Sequence, residues 1–423
     1  MAAIGVSAQI GVNMKTSTVK GTRDFLPKET ALRDYMQNKI LEVYQNSGFN
    51  RITTPILEDI ENLDKSEGGE NLNLIFRVLK RGEKLKSAIE NRQINELCDM
   101  GLRYDLTLPL SRYYSNNREN LMLPFKCIQI DKVYRAERPQ RGRDREFIQC
   151  DIDIIGSDSI NSEIELIYTT SKALISVGIS DFTIKINDRR ILKSILLSAG
   201  VDNNQIENVC ISIDKLDKIG AEGLKTELIE KGIKPETVNR ITDIFCSKTD
   251  LNEIGAITGE KQILEGLDTI INSVKELSKG NFNIQFDLTL VRGQGYYTGT
   301  IFEIESSKFN GSIGGGGRYD NLIGKFTGER ISAVGFSIGF ERIYTLLMEN
   351  GCEIPGSNKK IAIIYKNDEF LKAYMEADNY RDNYSVTLYE MPKKLGKFVD
   401  KLAMNGFYGF LIYGEGKELK QIN

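Results

Sequence analysis

Apolar residues first recur at helical spacing between 29 and 48, where Leu32, Met36, Ile40, Val43 and Tyr44 share a face and Gly48 offers a stop. A strand is predicted from Phe49 to Leu57. Pro55 interrupts it near its end, which suits an edge because proline cannot donate to a ladder. Residues 100–114 read as a strand leading into a helix. Two alternating apolar runs, 125–135 and 146–156, enclose the polar, basic stretch AERPQRGRDR, and this pattern predicts a long antiparallel hairpin with a charged loop. A helix over 163–177 and a strand over 182–187 follow.

From about 190 to 280 the pattern changes to helical spacing with many short breaks, which predicts a helical insertion. Strands are then expected at Phe286–Val291 and Thr300–Ile304, a glycine-rich strand region at 311–319, and a strand running into a helix over 333–349. The segment GCEIPGSNKK near 351–360 reads as a linker. Beyond it come a strand (Ile361–Tyr365), a helix, a strand (Ser385–Tyr389), a helix (Lys393–Met404) and a strand (Phe407–Tyr413). That order predicts a small parallel or mixed sheet. The chain has no internal repeat or low-complexity tract.

Composition narrows the chemistry. A chain of 423 residues allows two or three domains at roughly 100–200 residues each. The net charge of −3 excludes wholesale coating of nucleic acid, so any RNA contact must come from local basic patches. Six scattered cysteines with no C-x-x-C pair argue against zinc ribbons and fit a reducing cytosol. No apolar run approaches the ~18 residues of a membrane helix. The first 13 residues lack the basic start of a signal peptide. There is no histidine at all. That removes Ser–His and Cys–His nucleophile systems, H-E-x-x-H metal sites and any histidine base. Chemistry here must run on Arg, Lys, carboxylates, Tyr, backbone dipoles or a bound ion.

Five segments carry residues of that kind. In VYRAERPQRGRDREFIQCDIDIIG, six basic and three acidic residues fall between Lys132 and Glu146. Arginine forks can clamp phosphates, and strand parity puts Gln149, Asp151 and Asp153 on one face, where a carboxylate could take an ammonium group. The plainer reading is a solvated hairpin with surface ion pairs. LVRGQGYYTGTIFEIE places an arginine beside glycine and two tyrosines between strands, which could equally be a tight turn. In GSIGGGGRYDN, four consecutive glycines could let the backbone approach a ligand with unshielded N–H groups. No P-loop and no dinucleotide fingerprint is present. GFSIGFERI joins a strand to a helix and alone reads as packing. In LRYDLTLPLSRY, Asp105 and Thr107 alternate with apolar residues and could face one ligand, or could be ordinary strand termini.

Taken in order, these segments resemble the class II aminoacyl-tRNA synthetases, and within them the histidine branch, from about Lys20 to the C-terminus. The helix and strand ending at Pro55 look like motif 1, the 133–156 hairpin like motif 2 and GFSIGFERI like motif 3. LVRGQGYYTGTIFE and GGGGRYDN look like the two signatures of the histidine branch, and KGTRDFLP like its opening. The family's usual Leu-Asp after Arg-Gly is Gln294–Gly295 here, and its frequent histidine before the motif 2 glutamine is Ile148. The expected organisation is a 1–13 extension, a catalytic core over 14–189 and 281–350, the insertion over 190–280, and an anticodon-binding-like α/β domain over 359–423, shorter than the family's by a strand and a helix.

The resemblance implies an α+β fold, a seven-stranded antiparallel sheet flanked by helices. It implies ATP with Mg²⁺, L-histidine and histidine tRNA as ligands, in a cytoplasmic homodimer with no membrane contact. It puts Arg135 on the α-phosphate, Arg143 and Arg342 on the γ-phosphate, Phe147 on adenine and Glu137 on the adenine side of ATP. Histidine lies against Asp105, Thr107, Gln149, Asp153, Arg292, Tyr296 and Tyr297, with Asp153 taking the α-ammonium. Arg135 and Arg292 flank the reacting phosphate, and Arg138, Gln140 and Arg141 meet the acceptor end of tRNA. No protein metal ligand is implied. Two other functions share these features: a non-catalytic regulatory subunit of ATP phosphoribosyltransferase, and an activator that loads a different acceptor. Arg135, Arg143, Arg292 and Arg342 together favour the ligase. Removing one donor to developing charge typically costs ~10²–10³ in rate. Arg292→Ala is therefore expected to lower histidine-dependent ATP–pyrophosphate exchange by that factor, and near-normal exchange would remove Arg292 from the catalytic set.

Overall fold

The computed structural model describes residues 15–65, 73–247, 251–291, 296–309, 311–352, 354–356, 358–416 and 418–422, the side chain of Asn252 aside. It divides into two units, Met1–Cys352 and Glu353–Asn423. Strands of the first unit are β1 (Asn50–Arg51), β2 (Leu57–Asp59), β3 (Arg77–Leu79), β4 (Cys98–Leu102), β5 (Phe125–Tyr134), β6 (Glu146–Ile155), β7 (Thr183–Asp188), β8 (Asn283–Phe286), β9 (Thr300–Glu305), β10 (Ser312–Arg318) and β11 (Ala333–Gly339). Among the described residues, eight of them form one sheet in the order β1-β5-β6-β11-β10-β9-β7-β8, and β2-β4-β3 form a smaller one. The inner pairings are antiparallel, while β1 on β5 and β8 on β7 are parallel. Where seven antiparallel strands were expected, the sheet has six, with one parallel strand at each edge to make eight.

The hairpin forms as its alternation predicts, pairing from Phe125↔Ile155 to Tyr134↔Glu146. One parity of β6, Ile148, Cys150, Ile152 and Ile154, is buried and apolar. It packs towards the helix Pro27–Asn46, whose Tyr44 lies beside Cys150. The other parity carries Gln149, Asp151 and Asp153. Packing the first parity under a helix therefore commits the second to the opposite face of the sheet.

Two strand expectations shift, and the glycine-rich strand forms as expected but with its close approach directed elsewhere. The run 49–57 splits between two sheets, because the buried Arg103 takes the carbonyls of Thr54 (2.8 Å) and Pro55 (3.3 Å) out of the ladder. The strand expected at 286–291 ends at Phe286. Asp287 then caps a turn, accepting from the Thr289 N–H at 2.9 Å, while Leu290 N–H closes on Asp287 O at 3.1 Å. The glycine-rich segment is a buried central strand paired on both sides. The glycines do permit close approach, but to β11: a Cβ on Gly316 would lie 2.0 Å from Gly335 O. Their N–H groups belong to a strand paired with β9 and β11 and are not open to a ligand.

The insertion consists of helices Arg189–Ser198, Ile206–Ile213, Leu216–Glu230, Pro235–Cys246, Leu251–Thr258 and Lys261–Ser278. The second unit has β12 (Lys359–Tyr365), β13 (Tyr384–Glu390), β14 (Phe407–Ile412) and β15 (Lys420–Gln421) in the order β13-β12-β14-β15. The first three are parallel and β15 is antiparallel. Helix Phe370–Arg381 sets Ala373 and Ala377 against Ile363 and Leu411 on one face, and helix Leu395–Met404 sets Leu402 against Ile364 and Phe410 on the other. The fifteenth strand is too short for its pattern to signal.

One ion pair ties the first unit together. Arg33, on helix Pro27–Asn46, meets Glu341, on helix Phe340–Glu349, through two hydrogen bonds of 2.6 and 2.7 Å. Both side chains are buried, and Glu341 also accepts the Ile148 N–H of β6 at 3.3 Å. The Arg33 guanidinium lies 4.0 Å from the Phe25 ring centroid. Removing one member of such a pair leaves an uncompensated buried charge, at a cost of about 3–5 kcal/mol. Arg33→Ala is expected to lower the unfolding free energy of the chain by that amount, read as a lower urea midpoint.

Candidate active site

Strand β6 places Gln149, Asp151 and Asp153 on one face, opposite Gly339, Ser337 and Gly335 of β11. Small residues on β11 make room for the acidic ones. A Cβ on Gly335 would sit 1.9 Å from Asp153 Oδ1, so this site requires glycine. Tyr319, just beyond β10, donates its hydroxyl to the same oxygen at 2.6 Å. Gln149 Nε2 donates to Ser337 Oγ at 3.2 Å. A third carboxylate, Asp105, arrives from the connection between β4 and helix Thr107–Asn117, its Oδ1 accepting the Leu108 N–H at 3.2 Å. Asp105 and Thr107 are therefore not alternating strand positions, as the pattern suggested, but the entry to a helix.

Asp105, Asp151 and Asp153 are 3–5% exposed. Asp105 Oδ2, Asp151 Oδ1 and Gln149 Oε1 are buried without a partner. Buried acceptors left unpaired are costly, so a group of them marks a place for donors. Burial pushes the Asp105 carboxyl up to about 6, against the helix N–H and the Arg135 charge that pull it down. Burial, aided by Asp105, pushes Asp153 up to about 7 despite the Tyr319 hydrogen bond. Asp151 is raised as well, by burial and then by Asp153. The cluster holds more negative charge than its surroundings neutralise, and it is built for a cation with N–H groups.

Tyrosines wall this cluster. Tyr296 is buried, its ring 4.9 Å from that of Tyr297 and 6.2 Å from that of Tyr319, centroid to centroid. Its hydroxyl bonds with Thr107, and burial holds it well above the usual tyrosine range. Tyr296 and Tyr319 sit in an apolar cluster with Leu110, Phe125 and Leu322, and Tyr297 packs against it.

Arginines stand on the other side. Arg135 donates from Nε to Tyr104 O at 3.0 Å, and its guanidinium lies 5.2 Å from the Phe147 ring centroid. In the hairpin loop, Arg143 and Gln140 pair through their backbones, and Arg143 Nη1 is 3.9 Å from Glu137 Oε2. Arg138, Gln140, Arg141 and Arg143 are exposed. Arg141 pairs with Glu349, its Nε donating at 3.1 Å, and Arg342 donates to Ser312 O. Both guanidiniums border the Phe309 ring, at 5.5 and 5.9 Å. Arg292 lies outside the described residues. The named residues thus form an anionic, tyrosine-lined pocket and a cationic rim, joined at Arg135. Among the described residues no three His, Cys, Asp or Glu side chains converge on a metal position.

Sequence reasoning did not single out Tyr319, Ser337 and Arg103. The first two carried only their place inside GGGGRYDN and GFSIGFERI, since the register that sets Ser337 opposite Asp151 is tertiary. Arg103 carried none. It is wholly buried, bonded to Lys132 O at 2.9 Å and paired with Asp131 at 2.9 Å, and it fixes the segment that delivers Tyr104 O and Asp105.

An antiparallel sheet with this pairing of pocket and rim is the catalytic fold of an aminoacyl-tRNA synthetase. It superposes on histidyl-tRNA synthetase from Nostoc sp. PCC 7120 with a TM-score of 0.77 at 29% identity, covering 94% of this chain and 91% of that one. The fold is shared with an ATP phosphoribosyltransferase regulatory subunit/histidyl-tRNA synthetase from Bacillus halodurans C, with a TM-score of 0.76 at 20% identity, covering 94% of this chain and 98% of that one. The histidyl-tRNA synthetase family model matches residues 21–343. The histidine–tRNA ligase of Leifsonia xyli subsp. xyli is 39% identical over 419 residues, 92% of this chain and 94% of that protein. That of Christiangramia forsetii is 38% identical over 418 residues, 92% of this chain and 91% of that protein. The chain belongs to the histidyl-tRNA synthetase family.

The raised carboxyls have a stability consequence. Asp153 titrates near 3.9 when unfolded and about 7 when folded, so the folded state binds the extra proton between those values. Its contribution is full below the lower value and is lost as pH rises through the upper one. Asp153→Asn is expected to flatten the fall in urea midpoint between pH 5 and pH 7.5 in the ligand-free protein; an unchanged slope would show that Asp153 is not the group titrating there.

Proposed function

We propose that this chain activates L-histidine with ATP and transfers it to the 3′ end of histidine tRNA. The observation that carries the reading is the pair of buried, unpartnered oxygens on Asp105 and Gln149, with the Arg135 charge bearing on Asp105. Histidine brings donors for those oxygens and a carboxylate for the arginine side. The sequence expectation set the ammonium group on Asp153. The geometry supports a different division. Asp105 feels the Arg135 charge and has a free oxygen, as does Gln149, so these two suit the ammonium at the reacting end. Asp153, held by Tyr319 among the tyrosines, suits the imidazole N–H. A site built to hydrogen-bond its substrate rejects analogues that leave those groups unpaired.

Activation needs no protein base. The histidine carboxylate is already an anion and attacks the α-phosphorus in line, displacing pyrophosphate. The work of the chain is positioning and charge neutralisation in a dry site. Arg135, backed by Phe147 and Tyr104 O, would meet the α-phosphate, with Arg292 opposite it. Arg143 and Arg342 would meet the γ-phosphate, Phe147 the adenine face and Glu137 the adenine side of ATP. Magnesium would enter with ATP as part of the substrate and would help to neutralise the leaving pyrophosphate. The exposed Arg138, Gln140 and Arg141 suit phosphate contacts to the tRNA acceptor end. The reading includes a homodimer built on the helix Pro27–Asn46 and a cytoplasmic setting. No helix among the described residues is long and apolar enough to cross a membrane.

The test is histidine-dependent ATP–pyrophosphate exchange, run beside charging of histidine tRNA. Both activities are expected. Exchange without charging would point to an activator with another acceptor, and histidine binding without exchange would overturn the catalytic reading.

A further inference from the structure

Ser337 stands directly across from Asp151 in the ladder, and it touches two side chains of the site. Its hydroxyl donates to the Asp151 carboxylate, and its oxygen accepts from Gln149 Nε2 at 3.2 Å. A hydroxyl has one proton to give, and an ionised carboxylate can only accept. With Asp151 in its ionised form, the proton of Ser337 goes to Asp151, and Ser337 can only accept from Gln149. That fixes the Gln149 amide with its nitrogen towards Ser337 and its oxygen away from it. The oxygen so turned is one of the buried acceptors with no partner. Gln129, on the other side of Asp151 in β5, is already engaged, donating to Leu106 O at 2.9 Å and accepting from Thr54 Oγ1 at 3.1 Å. The charged groups that bear on Asp151 are Asp153 and Asp105, which raise it, and Arg135, which lowers it. An arriving ammonium group adds to the Arg135 effect and favours the ionised, accepting form.

We propose that Asp151 is a positioning residue for amino-acid recognition: through Ser337 it orients the Gln149 amide so that Oε1, and not the NH₂ group, meets the ammonium group of the substrate. This rests on the reading of the site given above. Without the carboxylate the relay can reverse. An asparagine at 151 can donate to Ser337, Ser337 can then donate to Gln149 Oε1, and the amide nitrogen is left facing a cation. A misdirected donor there costs more than a missing acceptor, because two donors then face each other.

The experiment is ATP–pyrophosphate exchange on the full chain carrying Asp151→Asn, Ser337→Ala, both together, and Gln149→Ala. Asp151→Asn and Ser337→Ala are each expected to raise KM for histidine roughly tenfold or more, with kcat and KM for ATP within about twofold of the parent. The double variant is expected to be no worse than the worse single, because both changes break one relay. An unchanged KM for histidine in Asp151→Asn overturns the proposal. So do additive losses in the double variant, which would mean that Asp151 acts by its charge alone. Should Asp151→Asn not fold, Ser337→Ala carries the test by the same KM criterion. Gln149→Ala separates the two levels. If it leaves KM for histidine unchanged, the reading of the site fails; if it raises KM while Asp151→Asn does not, only the relay fails.

Discussion

Three carboxylates held out of water on one face of a sheet set the terms for the rest of the catalytic unit. Asp105, Asp151 and Asp153 repel one another and have lost most of their hydration, which is why Asp105 and Asp153 are raised to about 6 and about 7. Such a cluster persists only if its neighbours tolerate it. β11 presents Gly335 and Ser337 to it, Tyr319 gives Asp153 a hydrogen bond, a helix N-terminus gives one to Asp105, and Arg135 supplies the nearby positive charge. These neighbours lie in the motif segments of this chain, and together they make a buried anionic pocket affordable.

The pocket also depends on a frame that does not touch it. Arg33 and Glu341 join two helices to β6 beneath the sheet, and Arg103 pins the chain that delivers Asp105. Both arginines are buried and multiply bonded, so each holds its segments to a single geometry. Because alternate residues of β6 point to opposite faces, the apolar contacts of Ile148, Cys150 and Ile152 below fix the aim of Gln149, Asp151 and Asp153 above.

The absence of histidine from this chain fits that chemistry. A reaction whose nucleophile is already a carboxylate needs donors and charges in place, not a base. The groups that titrate near neutrality here are instead buried aspartates. On the site reading proposed above, a cationic substrate would change their protonation on binding, which would link substrate affinity and pocket charge in one place.

Much of this was legible in the residues. Alternation marked the hairpin, helical spacing marked the helix at 27–46 and the insertion, and the ordered motifs marked the family, because local periodicity and short motifs are properties of neighbouring residues. Where the reading slipped, a contact that the hydrophobic pattern does not carry had intervened. Arg103 split the run at 49–57, Asp287 ended a strand early, and the glycines at 314–317, read as letting the backbone approach a ligand, proved to be where β10 lies close to β11. The sequence by itself determined which elements form and which chemical groups are available. Only the tertiary structure decided that Ser337 faces Asp151, that Tyr319 holds Asp153, and that three carboxylates from two separate segments share one dry space, since burial and register between distant strands have no local trace.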